Sequence, residues 1–253
     1  MVDSKTIYKS LSAHADLDVY LSRIARQYET HAFIKGAMQG CYIRWMSLID
    51  EIWQYRGRSP SGVRILDWGC GKGHNSYLLS TRGYKVSSCD VESGVGDSSF
   101  DQDTPIIKER GIHVHGIHHD WELPYEDHSF DMVVSFGVLE HVPDDRQSLK
   151  EIRRILVPNG VFFFVCLPYC FSLSQRVAHL RGDMYHAKLY SEREVHNMAS
   201  QSGFMVEHIW HGQLFPKNSI PHCNLIEAID RWLTFRSPLK YFATNLEGIL
   251  IAV

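Results

Sequence analysis

The sequence contains no C-x-x-C pair. Its six cysteines (Cys41, Cys70, Cys89, Cys166, Cys170 and Cys223) are scattered. That excludes the common zinc spacings and reads, in a chain of this size, as reduced and mostly buried thiols. No apolar run approaches the length that spans a bilayer, and the N-terminal stretch lacks the charged-then-apolar pattern of a secretory leader. The expectation is a cytoplasmic protein with no integral membrane segment. There is no basic tail or stripe, and the formal net charge is −3. Nucleic acid is therefore not an expected partner. Repeats and low-complexity tracts are also missing. What remains is a chain of 253 residues, long enough for one domain with a full core. It holds fifteen histidines, an unusual number.

The most informative stretch runs over residues 63–74, Val-Arg-Ile-Leu-Asp-Trp-Gly-Cys-Gly-Lys-Gly-His. Ile65 and Leu66 close a short apolar run that reads as a buried strand ending at Asp67. Gly69, Gly71 and Gly73 alternate, and a helical pattern follows over 75–81. A strand that turns through glycines into a helix lets a ligand lie against bare backbone, beside free N–H groups at the helix start. The dinucleotide fingerprint G-x-G-x-x-G does not fit, because its third glycine falls on His74. A P-loop does not fit either, since no Gly-Lys-Ser/Thr follows. A plain glycine-rich turn is the bland alternative.

Residues 1–60 are helical in pattern, with no proline until Pro60. Over 41–55, Ile43, Met46, Ile49, Ile52 and Trp53 fall at helix spacing. The turn 56–62 marks a join to the rest of the chain. Strand and helix signals then alternate: a strand over 84–89 ending at Asp90, a polar loop over 94–103, and a short helix over 106–110. A candidate third strand over 113–119 ends at Asp120, and a fourth over 130–136 ends at Phe136. A helix over 144–157 opens at Asp144 and is stopped by Pro158-Asn159-Gly160. A fifth strand over 161–167 is apolar on both faces. A helix over 191–202 follows, and segments 204–210 and 248–253 make a closing strand pair. This order predicts an α/β fold with a doubly wound, mostly parallel seven-stranded sheet, Rossmann-like in layout. The glycine loop, Asp90, Asp120 and Phe136 all fall at strand C-termini, where such sheets bind ligands.

The pattern Asp67-x-Gly69-x-Gly71-x-Gly73 after an apolar strand resembles the first motif of class I S-adenosylmethionine-dependent methyltransferases. Four further segments fit the order and spacing of the branch that contains ubiquinone- and menaquinone-biosynthesis enzymes. They are Asp120-Trp-Glu-Leu-Pro-Tyr, Ser129-Phe-Asp-Met-Val-Val-Ser, Val138-Leu-Glu-His-Val and the run over 149–160, LKEIRRILVPNG. The resemblance covers roughly residues 60–210. It implies S-adenosyl-L-methionine as cofactor, with residues 1–60 as a helical lid and 61–253 as the catalytic domain, interrupted by an insertion at 212–247. Asp67, Gly69, Gly71 and Gly73 would face the methionine moiety. Asp90 would accept the ribose hydroxyls, Asp120 and Trp121 would meet the adenine, and Phe136 would close the pocket.

Methyl transfer from a sulfonium needs alignment, and a base when the acceptor is a hydroxyl. Glu140, His141 and His186 are the candidates. In the related O-methyltransferases a carboxylate three residues before the Glu helps bind a divalent metal. Here that place is Gly137, so no metal is assigned. His113, His115, His118 and His119 alternate along a strand and read as a polar face. Strand four carries no Asn/Asp-Pro-Pro-Tyr, the mark of amino-methylating enzymes acting on bases or glutamine amides. Leu225, Ile226, Ile229, Trp232, Leu233 and Phe235 form a helical apolar face, expected to pack in the core or at a homodimer contact, with a membrane surface as the lesser option. The expected acceptor is a small molecule or a glycan- or lipid-linked intermediate, methylated on oxygen. The alternatives are an N-methyltransferase of a small metabolite, a non-catalytic binding protein of the same fold, and a nucleotide-sugar or NAD enzyme on a related sheet.

Overall fold

The computed structural model describes residues 2–92, 104–119, 121–180, 182, 188–215, 217 and 220–253. Asp120, His186 and the loop expected over 94–103 lie outside the described residues.

Three helices come first: α1 (Ser4–Ser12), α2 (Val19–Gln27) and the long α3 (Gly36–Tyr55). Asp3 and Asp18 cap the first two, their carboxylates accepting from Thr6 N and Leu21 N. Then β1 (Arg64–Trp68), α4 (His74–Thr81), β2 (Lys85–Val91), α5 (Pro105–Arg110), β3 (Val114–Ile117) and β4 (Phe130–Phe136) alternate. After them come α6 (Asp145–Ile155), β5 (Leu156–Pro168), α7 (Leu173–Leu180), α8 (Glu192–Gln201), β6 (Phe204–Gly212), α9 (Asn224–Arg236) and β7 (Asn245–Ala252).

The seven strands lie in the order β3-β2-β1-β4-β5-β7-β6. All neighbouring pairs are parallel except β7, which runs antiparallel to both β5 and β6. The order reverses between β1 and β4, so the ends of those two strands flank the switch point where ligands of open sheets bind. The doubly wound, mostly parallel sheet is the one expected from the sequence.

Alternation along each strand divides the core in two. Ile65, Met132, Val134, Phe163 and Ile249 pack with α1, α2, α3 and α4 on one face. Leu66, Val133, Phe162, Phe164 and Leu250 pack with α6 and α8 on the other. β5 thus needs apolar residues on both sides, which its Val-Phe-Phe-Phe-Val run supplies. The N-terminal helices share one core with the sheet: Trp45, Met46, Ile49 and Trp53 of α3 lie in the same cluster as Ile65 and Phe163. The turn before β1 is pinned to β4, where Asp131 accepts from Arg58 Nη1 and Arg64 N, both at 2.8 Å.

Two local expectations shift. Pro158-Asn159-Gly160 does follow the end of α6, but the chain resumes pairing before it, with Leu156 opposite Phe130. The triplet is accommodated as an irregularity inside β5, with Asn159 at a φ of 60°. The second shift is larger. α9 buries Glu227, Asp230, Arg231 and Thr234, while Leu225, Ile229 and Trp232 face outward. Of the apolar stripe expected in the core or at a homodimer contact, half lies exposed, while Ile226, Leu233 and Phe235 are half-buried and Phe235 packs against the core.

The charged inner face of α9 meets partners from distant segments. Glu227 Oε2 lies 3.4 Å from Arg44 Nη1 of α3 and 3.1 Å from Lys217 Nζ. Asp230 Oδ2 lies 3.0 Å from the same ammonium, and its Oδ1 accepts from Leu214 N and Phe215 N at 2.9 Å. Arg231 pairs with Glu247 of β7 at 3.4 Å, and Glu247 Oε2 also accepts from Trp45 Nε1 and Trp210 Nε1 at 2.9 and 2.8 Å. Three cations and three carboxylates thus compensate one another out of contact with water, as buried charges require. Gly212 makes room for this joint. A Cβ there would stand 2.0 Å from Glu247 Oε1.

Candidate active site

The glycine loop emerges from β1 as expected. Gly69, Gly71 and Gly73 have φ of 70°, 52° and 77°, values that L side chains rarely adopt. Gly73 is the residue from which α4 starts. Gly69 is constrained twice, since a Cβ on it would lie 2.5 Å from Val138 Cγ2. Gly69→Ala should therefore shift the loop and the segment after β4 together, lowering the midpoint of thermal unfolding and weakening cofactor binding in the same titration. Loss of neither would remove this packing argument.

Asp67 and Asp90 stand on either side of the loop. Asp67 is buried at the end of β1, and its Oδ2 accepts from Ser76 Oγ of α4 at 2.6 Å. Its Oδ1 has no hydrogen-bond partner among the described residues. Burial pushes its carboxyl up to about 7, eased by the Ser76 hydroxyl and aggravated by the charge of Asp90. Asp90, at the end of β2, accepts from Gly71 N at 2.6 Å. Burial raises its carboxyl too, against the opposing pull of the Gly71 N–H. The same hydrogen bond fixes the loop to the neighbouring strand.

Beyond β4, Gly137 turns at a φ of 71°, and a Cβ on it would lie 3.5 Å from Glu140 Oε1. Glu140 is buried, its Oε2 lacks a partner among the described residues, and burial raises its carboxyl to about 8. His141 is more exposed, with its Nε2 3.9 Å from Glu140 Oε1. The two candidate bases are therefore adjacent, with the Glu inside and the His outside.

Phe136 points to the α3 side, its ring 6.3 Å from Tyr42, 5.9 Å from Trp45 and 6.2 Å from Phe163. Trp121 stacks on His119 at 4.7 Å and 13°. His118 Nδ1 is 3.4 Å from Glu92, and His113 and His115 lie ring to ring on the exposed face of β3.

Several residues here escaped the sequence reading. His74 appeared there only as the position that spoils a dinucleotide fingerprint. It is buried between the rings of Phe33 and Tyr42, at 4.9 and 4.5 Å, with neither ring nitrogen partnered among the described residues. Burial drives its pKa down to about 3, so it is a neutral imidazole. Asn75 beside it has an unpartnered Oδ1. Cys166, at the end of β5, takes a left-handed φ of 64° where the register with β7 slips. Its Cβ lies 3.7 Å from where a Cβ on Gly137 would be. The signal for His74 and Asn75 was adjacency to the loop. Tyr42 and Cys166 carried no local signal, because tertiary packing alone brings them here.

The chain is similar to known proteins over much of its length. Residues 66–164 match the family model described as a methyltransferase domain. A protein of Mycolicibacterium smegmatis named as a probable S-adenosylmethionine-dependent methyltransferase is 28% identical over 178 residues, which cover 66% of this chain and 63% of that protein. A demethylmenaquinone methyltransferase of Staphylococcus aureus is 36% identical over 124 residues, covering 46% of this chain and 49% of the other. A ubiquinone biosynthesis O-methyltransferase of Rickettsia akari is 27% identical over 119 residues, covering 47% and 46%. The chain thus spans between about half and two thirds of these relatives' lengths. Among solved structures, a protein of Pyrococcus horikoshii superposes with a TM-score of 0.56 at 18% identity, covering 91% of this chain and 99% of that one. A SAM-dependent methyltransferase of Methanosarcina mazei gives 0.55 at 17%, covering 81% and 97%. At such identities the structures attest the fold. Residues 66–164 thus resemble a methyltransferase domain, and over that stretch the chain is similar to S-adenosylmethionine-dependent enzymes that include those named for quinone biosynthesis.

Proposed function

We propose that this protein transfers the methyl group of S-adenosylmethionine to an oxygen of a small-molecule, or glycan- or lipid-linked, acceptor. The observation that carries the reading is the pair of buried carboxylates, Asp67 and Asp90, flanking a glycine loop at the sheet's switch point. The residues fit the cofactor. Asp67 Oδ1 is a buried acceptor without a partner, suited to a donor such as the α-ammonium. The loop glycines leave main chain bare for the amino-acid tail, and Asp90 at the end of β2 is assigned to the ribose diol. Trp121 offers a flat apolar ring for the adenine, and Asp120 is proposed for its exocyclic amine. Phe136 would wall the pocket from the α3 side, with residues 1–60 as its helical cover and 212–247 as the insertion that adds acceptor contacts.

When bound, the cofactor supplies an activated methyl, so the protein's task is alignment and the removal of one proton. Glu140 is placed for the second. Its Oε2 is free to accept from an acceptor hydroxyl, and a positive charge brought nearby would favour its ionised form. His141 stands on the solvent side to pass the proton outward, and His186 is kept as a further candidate. Neutral His74, Asn75 and Tyr42 offer hydrogen bonds without charge, which suits an uncharged acceptor. The relatives named for quinone biosynthesis support a small ring-bearing or lipid-linked acceptor.

Incubating the protein with methyl-labelled cofactor and a cell extract tests the reading. Label should appear in a small or lipid-extractable product, and its absence would favour the binding-only alternative.

The protonated carboxyls make stability depend on pH. Asp67 and Glu140 sit near 7 and 8 in the fold, against ordinary values of 3.8 and 4.5. The native state therefore holds more protons than the unfolded chain between those limits, and stability falls as pH rises through them. The ligand-free protein should melt at a lower temperature at about pH 9 than at about pH 6, and Glu140→Gln should flatten the difference. Turnover should run the other way, rising with pH as Glu140 ionises, and a flat profile would dismiss it as the base.

A further inference from the structure

The outward face of α9 is apolar by construction. Leu225, Ile229 and Trp232 recur at helical spacing and are 69%, 45% and 52% exposed. The next turn, Pro238–Phe242, continues the surface with Leu239, Tyr241 and Phe242, each about half exposed. An amphipathic helix ordinarily turns such a stripe inward. Here six buried charged groups hold the polar side in, so the orientation is built into the core. Exposed apolar side chains recurring along one helix face mark a candidate contact site.

The charges around it indicate what it contacts. Both acids of α9, Glu227 and Asp230, are buried, as is Arg231. The charge that α9 leaves outside is Arg236, whose guanidinium lies over the Tyr8 ring at 5.4 Å. Lys240 follows in the next turn. Lys5 and Lys9 are exposed on α1, which packs along α9 through Tyr8 and Phe235, 5.5 Å apart. The acids near these flanks are Asp3 at the cap of α1, Asp16 beside the start of α9 and Glu192, which accepts from His211 at 2.6 Å, and the four cations outnumber them. A two-fold copy would bring one basic rim against another. An apolar face carrying Trp and Tyr, with a cationic rim, matches the boundary between headgroups and acyl chains in an anionic membrane.

We propose that the outward face of α9 and the turn after it dock the protein onto an anionic lipid bilayer, with Leu225, Ile229 and Trp232 entering the headgroup–acyl boundary. The claim does not depend on the acceptor or on turnover. It concerns a surface built by the insertion and α1.

The test is flotation of the full chain with vesicles of phosphatidylcholine alone and of phosphatidylcholine mixed with phosphatidylglycerol. The protein should float with the mixed vesicles and much less with the neutral ones, and added salt should weaken binding. Ile229→Ser combined with Trp232→Ser should cut partitioning about tenfold or more, and Arg236→Glu should cut it several-fold. Both variants alter exposed side chains and should titrate S-adenosylhomocysteine like the unaltered protein. The proposal is overturned if the protein ignores the mixed vesicles, or if the double variant floats as well as the parent. It is equally overturned if the parent elutes as a dimer that the double variant breaks.

Discussion

Asp90→Ala should weaken S-adenosylhomocysteine binding roughly a hundredfold, the equivalent of about 3 kcal/mol. The side chain has two tasks. Its Oδ2 already accepts from Gly71 N at 2.6 Å, so alanine releases the loop proposed to carry the amino-acid tail. As the proposed acceptor of the ribose diol, it also contributes charge-assisted hydrogen bonds in a site from which water is largely excluded. Asp90→Asn retains one acceptor oxygen and should lose less. Calorimetric titration of the three proteins decides the matter, and equal affinities would end the ribose assignment.

Glu247→Gln should destabilise the protein by about 3–5 kcal/mol, because it takes from buried Arg231 its paired carboxylate and leaves three buried cations against two acids. For a chain of this length that corresponds to a fall of about ten degrees in the melting temperature. The carboxylate sits at a crossing, with one oxygen serving the indoles of Trp45 and Trp210 and both facing Arg231. It therefore ties α3, β6, α9 and β7 together. Pairing the change with Arg231→Met should recover a substantial part of the loss, since the charge and its orphaned partner leave together. Thermal unfolding of the single and double variants separates this joint from ordinary packing. If the single variant melts with the parent, the network does not stabilise the fold.

How much of this could be read from the chain alone depends on the range of the interactions involved. The β1–loop–α4 unit was legible because every cue is local: apolar strand residues, Asp67 at the strand end, and glycines where φ is positive. The cap at Asp144 was legible for the same reason, a short side chain satisfying N–H groups two or three residues ahead. β5 was partly legible. The helix ended before the stop that Pro158-Asn159-Gly160 suggested, because Leu156 already pairs with Phe130, which nothing local reveals. α9 was legible only in part, since its periodicity gives the width of a stripe and not which part of it faces outward. That direction was set by Arg44 and Glu247, which meet α9 from α3 and β7. In the site, Asp67 and Asp90 occupy the ends of strands the sequence announces, and Glu140 the turn after β4. His74, Tyr42 and Cys166 matter through neighbours that only folding supplies.

The missing side chain at Gly212 has an evolutionary corollary. Any atom added there would occupy the space of Glu247 Oε1, so the glycine and the carboxylate are exclusive choices made jointly. Arg231 and the two tryptophans depend in turn on that carboxylate. Sequence drift across these positions should then be concerted: lineages that abandon one member should abandon the set and turn the helix over, restoring an inward apolar stripe. A family tree aligned on these five positions would show them inherited as a block, with few mixed states between.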